Sequence, residues 1–162
     1  SSDHLRASAV TSCVVSCPPV PNARPGSMTT SGSSGRGDGE FIRPSNVAVD
    51  EDGYIYIADW GNERVQVLDQ KGDFIMKLRG QATPSKWAEE FLRNNAEEAE
   101  ARKQSNLEPD ITFFVNDPHE ESSHIEKYFW APVSIKYAGN GTIYVVESNR
   151  HRIQVFKRIA QN

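Results

Sequence analysis

Two stretches, FIRPSNVAVDEDGYIYIADWGNERVQVL (residues 41–68) and FWAPVSIKYAGNGTIYVVESNRHRIQVF (residues 129–156), align without a gap at an offset of 88 positions. Each opens on a Phe with a Pro three residues on (Phe41 and Pro44, Phe129 and Pro132), followed by an apolar run, a Gly turn (Gly53, Gly141) and a second run (Ile55-Tyr56, Ile143-Tyr144). Each then passes an acid, Asp59 or Glu147, and closes on an Arg-Val/Ile-Gln-Val strand, Arg64 to Val67 or Arg152 to Val155. A sheet unit repeated at fixed spacing predicts a stacked or radial β array.

The first copy reads as four short strands. Val47 to Asp50 precedes an Asp-Gly turn at Gly53, where glycine tolerates positive φ, and Tyr54 to Ala58 has the β-branched and aromatic content of a pleated surface. Arg64 to Asp69 and Phe74 to Leu78 follow, separated by a hairpin turn at Gln70 to Asp73. Four antiparallel strands in roughly 40 residues is the size of one propeller blade. The second copy shows three strands, Ile135 to Tyr137, Thr142 to Val146 and Arg152 to Arg158. Its fourth is missing, and an unpaired third strand leaves an edge of free backbone groups.

Between the copies the periodicity changes. Thr83 with Pro84 suits a helix start, and Trp87 with Phe91 and Ala88 with Leu92 share one helical face. Asn95 with Glu98 resembles a second capping box after a break at Asn94-Asn95. The spacing therefore predicts a helical insertion, and it is favoured over a degenerate blade. The organisation expected is a disordered or non-native segment over 1–36, a blade over 37–80, a helical insertion and acidic loop over 81–128, and a second blade over 129–162.

The chain has 162 residues, 37% of them hydrophobic, and a net charge of −4. That charge argues against a sequence-wide basic surface, so nucleic acid is not the favoured partner. No apolar run approaches the roughly 18 to 20 residues of a membrane-spanning helix. Residues 1–40 are rich in Ser, Thr, Gly and Pro, and they show no β pattern able to supply the missing strand. Cys13 and Cys17 lie there, offering too few ligands for a zinc site. The first residue is Ser1, which reads as a processed chain or a fragment.

Gly37-Asp38-Gly39-Glu40-Phe41, Pro44, Val47-Ala48-Val49-Asp50, Gly53, Ile55 to Asp59, Gly61-Asn62 and Arg64-Val65-Gln66-Val67 together resemble an NHL repeat. The second copy departs from the pattern with Ala138 at the Asp50 position, Glu147 at Asp59 and Arg150 at Asn62. The resemblance covers about half the chain. It implies a mainly β fold, usually a six-bladed β-propeller whose loops form a ligand face around a central channel. Two units cannot close a ring of typically 4 to 8 blades, so the chain looks like the C-terminal part of an incomplete ring that meets remaining propeller blades or self-associates.

Each group of polar residues has a structural reading and a functional one. Asp59, Asn62 and Arg64 suit a brace for the turn between the second and third strands, through a charge-assisted bond from Arg to Asp, and this reading is preferred. The functional alternative is that Trp60, Asn62, Arg150 and His151 contribute to a binding face, since exposed aromatic and basic loop residues suit recognition. Arg36-Gly37-Asp38 matches the tripeptide that integrins read, but it is more simply the lead-in to a blade. Asp117, His119, Glu120, Glu121 and His124 form a dense cluster without a ligand-spacing motif and read as a solvated acidic loop. Trp87, Phe91 and Leu92 are expected to pack on their own propeller rather than to dock a partner.

Neither copy holds a nucleophile, base and orienter together, so no catalytic residue, metal ligand or cofactor is assigned. The expected function is a noncatalytic binding scaffold for a protein or peptide partner. In tripartite-motif ubiquitin ligases, NHL domains recognise substrate or RNA, but RING zinc ligands do not occur in this sequence. The alternative is a fragment of an NHL-like propeller enzyme, a metal-dependent lyase or hydrolase whose site lies mostly in other blades.

Overall fold

Successive side chains of a β-strand point to opposite faces, so a strand with one apolar face needs a second layer to cover it. The computed structural model describes residues 10–17, 31–111 and 116–160, with 10–17 and 160 as backbone alone. Its strands are Val10–Cys17 (β1), Ser33–Ser34 (β2), Glu40–Phe41 (β3), Pro44–Val49 (β4), Ile55–Asp59 (β5), Arg64–Leu68 (β6) and Phe74–Leu78 (β7), then Pro132–Tyr137 (β8), Thr142–Glu147 (β9) and Arg152–Ala160 (β10). The molecule is mainly β. One sheet is the antiparallel meander β4-β5-β6-β7, and a second has the order β1-β10-β9-β8.

The turns follow from local chemistry. At the first hairpin Gly53 has φ 82°, and Asp50 Oδ1 accepts from the amides of Asp52 and Tyr54, each at 3.0 Å. The second copy has Ala138 at this position and no such acceptor, so the turn is held differently: the Gly141 amide donates to Tyr137 Oη at 2.8 Å. Between β6 and β7, Asp69 Oδ1 accepts from the amides of Lys71 at 2.8 Å and Asp73 at 2.9 Å.

One face of each sheet meets the other. Tyr56, Ala58, Val65 and Val67 of the first sheet are buried against Ile135, Ile143, Val145 and Phe156 of the second, with Phe129 between them. The rings of Phe129 and Phe156 lie 5.6 Å apart and tilted. Polar groups tie the rim of this contact. Arg158 Nε sits 3.2 Å from Asp50 Oδ2, and its Nη2 pairs with Asp52. Burial works against the Arg158 charge, but the Asp52 hydrogen bond and the Asp50 charge outweigh it and raise its pKa. Strands β4 and β8 run side by side at this joint, where Ser45 Oγ donates to the Pro132 carbonyl at 3.4 Å.

The amino-terminal stretch corrects the expectation of disorder over 1–36. β1 lies parallel to β10, from Val10 opposite Ile153 to Cys17 opposite Ala160, and fills the fourth place of the second sheet. An edge of unpaired amides and carbonyls accepts any extended backbone. Val10, Thr11, Val14 and Val15 favour extension without the alternation that would have marked a strand. Residues 31–41 are also ordered, with β2 and β3 paired in parallel. The remainder of the stretch expected to be disordered, 1–9 and 18–30, lies outside the described residues.

Helices occupy part of the region between the sheets: Lys86–Asn94 (α1), Ala96–Gln104 (α2) and Pro118–His124 (α3). The cap of α1 is Ser85, whose side chain accepts from the Ala88 amide at 3.2 Å, and not Thr83. Asn95 makes no side-chain cap for α2 and instead donates to the Phe91 carbonyl at 2.7 Å. The third helix replaces the expected acidic loop. Asp117 caps it by accepting from the His119 amide at 3.2 Å, with Pro118 at the first helical position where the missing N–H is not needed.

Candidate interaction site at the loop end of the two sheets

The residue that ends each second strand is a buried acid, and it fastens the segment that leads into its own repeat. Asp59 Oδ1 accepts from the Ile42 amide at 2.8 Å, while Oδ2 accepts from Asn62 Nδ2 at 2.7 Å and Arg64 Nε at 2.9 Å. Arg64 carries the chain of bonds onward, donating to the carbonyls of Arg36 at 2.9 Å and of Gly37 and Glu40 at 2.8 Å. Gln66 completes the clasp by donating to the Glu40 carbonyl at 2.6 Å and accepting from the Gly39 amide at 3.0 Å. The second copy repeats this with a longer acid. Glu147 accepts from the Trp130 amide at 2.9 Å, Arg152 Nε at 2.6 Å and Gln154 Nε2 at 2.9 Å, and Arg152 reaches the Tyr128 carbonyl at 2.7 Å.

The tripeptide Arg36-Gly37-Asp38 belongs to the first clasp: two of its carbonyls accept from Arg64, and Asp38 pairs with Lys77 at 2.8 Å.

Two corners of each repeat lie in the left-handed region, which side chains other than glycine enter only when the surroundings fix them. Arg43 and Ala131 both have φ 58°, and Glu63 and His151 have φ 53° and 51°. These corners aim the loop residues of both sheets toward one end. There Arg43 lies over the Trp60 ring at 5.2 Å, and Arg150 lies over the Trp130 ring at 5.4 Å. Residue 130 stands at the Ile42 position and residue 150 at the Asn62 position, so both pairs join the lead-in segment to the turn after the second strand, with the tryptophan and the arginine exchanged between them.

Glu63 joins the two sheets. It is 1% exposed, and its Oε2 accepts from the Ala131 amide at 2.5 Å. Its Oε1 lies 2.5 Å from His119 Nδ1, and the other nitrogen of that ring, Nε2, accepts from Trp130 Nε1 at 3.2 Å. With Nε2 as acceptor, the imidazole proton sits on Nδ1 and is donated to the carboxylate. Burial pushes the Glu63 carboxyl above its ordinary value. The bonds from His119 and Ala131 pull the other way without overcoming it, and the nearby Glu147 charge adds to the rise.

A raised pKa means that the fold favours the protonated acid, a contribution present below the ordinary carboxyl range of about 4.3 and lost as pH rises through the raised value. Glu63→Gln cannot ionise, so its stability relative to the native chain is expected to improve between about pH 4 and pH 7. Urea unfolding at both values measures this, and an unchanged difference would show that the burial of Glu63 carries no titration cost.

The residues singled out as a binding face have separate fates. Asn62 is buried and spends its amide group on Asp59 and, at 3.0 Å, on the Gly35 carbonyl. Arg150 is half-buried and grips the end of α3, donating to the carbonyls of Ser122 at 2.6 Å and Ile125 at 3.1 Å, as a cation at a helix C-terminus does. Burial, with the neighbouring Arg152 charge, lowers its pKa. Trp60 is half-buried and His151 exposed. Arg43, Glu63, His119 and Trp130 were missed as partners at this end. A lone glutamate between strands carries no signal, whereas the tryptophan one residue after the repeated Phe129 was a visible departure from Ile42.

The dense acidic cluster is dispersed. Asp117 caps α3, His119 meets Glu63, and Glu121 pairs with Arg79 at 2.6 Å. Among the described residues no group of three or more His, Cys, Asp or Glu is arranged to hold a metal ion. The aromatic stripe of α1 corrects the expectation that it packs on the sheets: Trp87 and Phe91 stack at 5.9 Å and are 71% and 45% exposed. No residue of α1 or α2 is buried, and beside them lies a groove of about 360 Å³ lined by Thr83, Trp87, Phe91, Leu92, Arg102 and Glu126.

Comparison with known proteins places this geometry. The chain is 46% identical over 55 residues to Protein lin-41 of Caenorhabditis elegans, covering 34% of this chain and 5% of that protein. It is 48% identical over 46 residues to the E3 ubiquitin-protein ligase TRIM71 of Rattus norvegicus, covering 28% of this chain and 5% of that one. A solved structure of a protein of unknown function from Bacteroides thetaiotaomicron is 20% identical with a TM-score of 0.39, over 71% of this chain and 21% of that one, too distant to bear on the fold. Residues 41–68 and 129–156 each match the NHL repeat family, in register with the two clasps. The chain thus carries two NHL repeats, and the acid closing the second strand of each is the group that fastens that repeat's lead-in segment.

Proposed function

We propose that this chain is a noncatalytic binding module, a portion of an NHL β-propeller whose loop end takes a protein or peptide. In this reading 37–80 and 129–162 are blades and 81–128 is an insertion between them. The observation that carries it is the pair of arginine–tryptophan contacts, Arg43 with Trp60 and Arg150 with Trp130, set at the same end of both sheets. Tryptophan and arginine are the residue types that dominate binding energy at protein interfaces. They stand here on corners held by buried acids, so little is lost in ordering them when a partner binds. Trp60 and His151 present the contact surface, while Asn62 and Arg150 hold the loops beneath it.

The test is a displayed peptide library selected on the native chain, with the affinity of the recovered peptides then measured for Arg43→Ala/Trp60→Ala. A loss of about 30-fold, the equivalent of a hot spot near 2 kcal/mol, is expected with the circular dichroism unchanged. Peptides indifferent to this change but lost on Trp87→Ala would move the binding role from the loop end to the α1 groove.

A further inference from the structure

Three side chains from three separate elements meet in a line at the loop end. Glu63 closes the turn after β5, His119 stands in the first turn of α3, and Trp130 leads into β8. The buried Glu63 carboxylate faces Nδ1 of His119, and Nε1 of Trp130 lies 3.2 Å from the other ring nitrogen. An indole nitrogen can only donate, so Nε2 of His119 must offer a lone pair and not a hydrogen. That one atom decides whether the Trp130 ring is tethered to α3.

A proton added to the Glu63–His119 pair reaches Nε2 by either route. Taken by the imidazole, it sits on Nε2 directly, with the carboxylate still facing Nδ1. Taken by the carboxyl, it needs an acceptor in a buried site where the Ala131 amide and the Nδ1–H already point at the two oxygens, each at 2.5 Å. It finds one only if Nδ1 gives up its hydrogen and accepts, which moves the ring hydrogen to Nε2. The state of Nε2 therefore follows the number of protons on the pair and not their assignment to either group. The His119 side chain is 49% exposed, so the pair exchanges protons with water.

We propose that the Glu63–His119 pair is a proton-operated switch on the loop end: uptake of one proton replaces the acceptor of the Trp130 N–H by a donor, turns the indole away from α3 and opens its contact with Arg150. The motion is confined to a side chain, because the Trp130 amide is held by Glu147 at 2.9 Å and the next amide, Ala131, by Glu63. Arg150 stays in place, fastened to the carbonyls of Ser122 and Ile125. Around the pair, the carboxylates of Glu63 and Glu147 favour the added proton, while Arg150 over the Trp130 ring and Arg152 beside it oppose a further cation. On α3 itself, Asp117 is 4.0 Å from Arg36, Glu121 pairs with Arg79, and Glu120 and His124 are exposed. The first repeat has Ile42 at the Trp130 position, so the switch acts on one of the two arginine–tryptophan contacts. Its existence stands on the geometry of the three side chains; its effect on a partner rests on the peptide-binding reading of the loop end.

NMR of the indole N–H signals of the whole chain, followed from about pH 8 to pH 5 where imidazole changes charge, reads the switch directly. The Trp130 signal is identified by its loss in Trp130→Phe. It is expected to start at a hydrogen-bonded position and move, in step with the His119 ring signals, to that of a free indole such as the exposed Trp87. His119→Gln offers a donor and an acceptor but does not titrate, and its Trp130 signal is expected to stay still over the same range. A native Trp130 signal that does not move overturns the proposal, whether or not the variant folds, as does a movement of the same size in His119→Gln. For peptides selected on the loop end, affinity is expected to fall about three-fold from pH 8 to pH 5 on the native chain, the worth of one such cation–π contact, and less on His119→Gln. A moving indole with peptides indifferent to pH supports the switch and counts against Trp130 in the binding face, so the two readings fail separately.

Discussion

Replacing Asp59 by Ala is expected to destabilise the chain by about 3–5 kcal/mol, the range for breaking a buried ion pair from one side. The carboxylate is fully buried and holds the Ile42 amide, Asn62 and Arg64 at once. Without it the Arg64 guanidinium, 5% exposed, keeps its charge in a site that no longer compensates it. The carbonyls of Arg36, Gly37 and Glu40 depend on that guanidinium, so the lead-in segment loosens with the corner. With a urea slope of about 1–3 kcal/mol per M, the unfolding midpoint falls by roughly 2 M. Glu147→Ala should cost a similar amount, because Glu147 holds the Trp130 amide, Arg152 and Gln154 in the same pattern. A midpoint shift for Asp59→Ala no larger than that of an exposed control such as Lys71→Ala would refute the clasp as a stabilising device.

Phe129→Ala is expected to cost about 3–5 kcal/mol for a different reason, the cavity left by a buried aromatic ring. Phe129 is fully buried, lies 5.6 Å from Phe156 and packs between the two sheets. Its amide donates to the Arg79 carbonyl at 2.7 Å, so the backbone is pinned at the end of the first sheet and cannot collapse into the space. The effect should appear as lost cooperativity as well as lost stability, since this ring belongs to the contact through which each sheet covers the other. Phe41→Ala, the equivalent change at a half-buried site, is expected to cost less than half as much. Parallel urea titrations of both variants measure the contrast. Equal losses would mean that the two repeats, despite their matched sequences, are not packed asymmetrically.

Much of the scaffold could be read from residue spacing because its causes are local. Asp50 and Gly53 set a hairpin through bonds spanning two to four residues. Asp59, Asn62 and Arg64 meet across a five-residue turn. The strands Arg64–Leu68 and Phe74–Leu78 form where their composition predicts strands, the first buried along its whole length and the second mostly half-buried. The third helix was also legible, since Asp117-Pro118 is a cap followed by a proline at the first turn, but the run of acids after it suggested a wet loop. β1 was not legible: a strand added at a sheet edge is held by backbone groups common to every residue, so its side chains need carry no pattern.

At the loop end, the sequence by itself determined the repeat, its braces and the residue types available for recognition. Only the tertiary structure decided that Asn62 and Arg150 are spent on backbone carbonyls and that Trp87 and Phe91 stay in solvent. It also brought Glu63 to His119 across 56 positions and to Ala131 across 68. The division follows the range of the forces involved. Turn and strand chemistry acts between neighbours and is written in their spacing, whereas a contact between sheets forms only after both have folded and depends on which faces they bury.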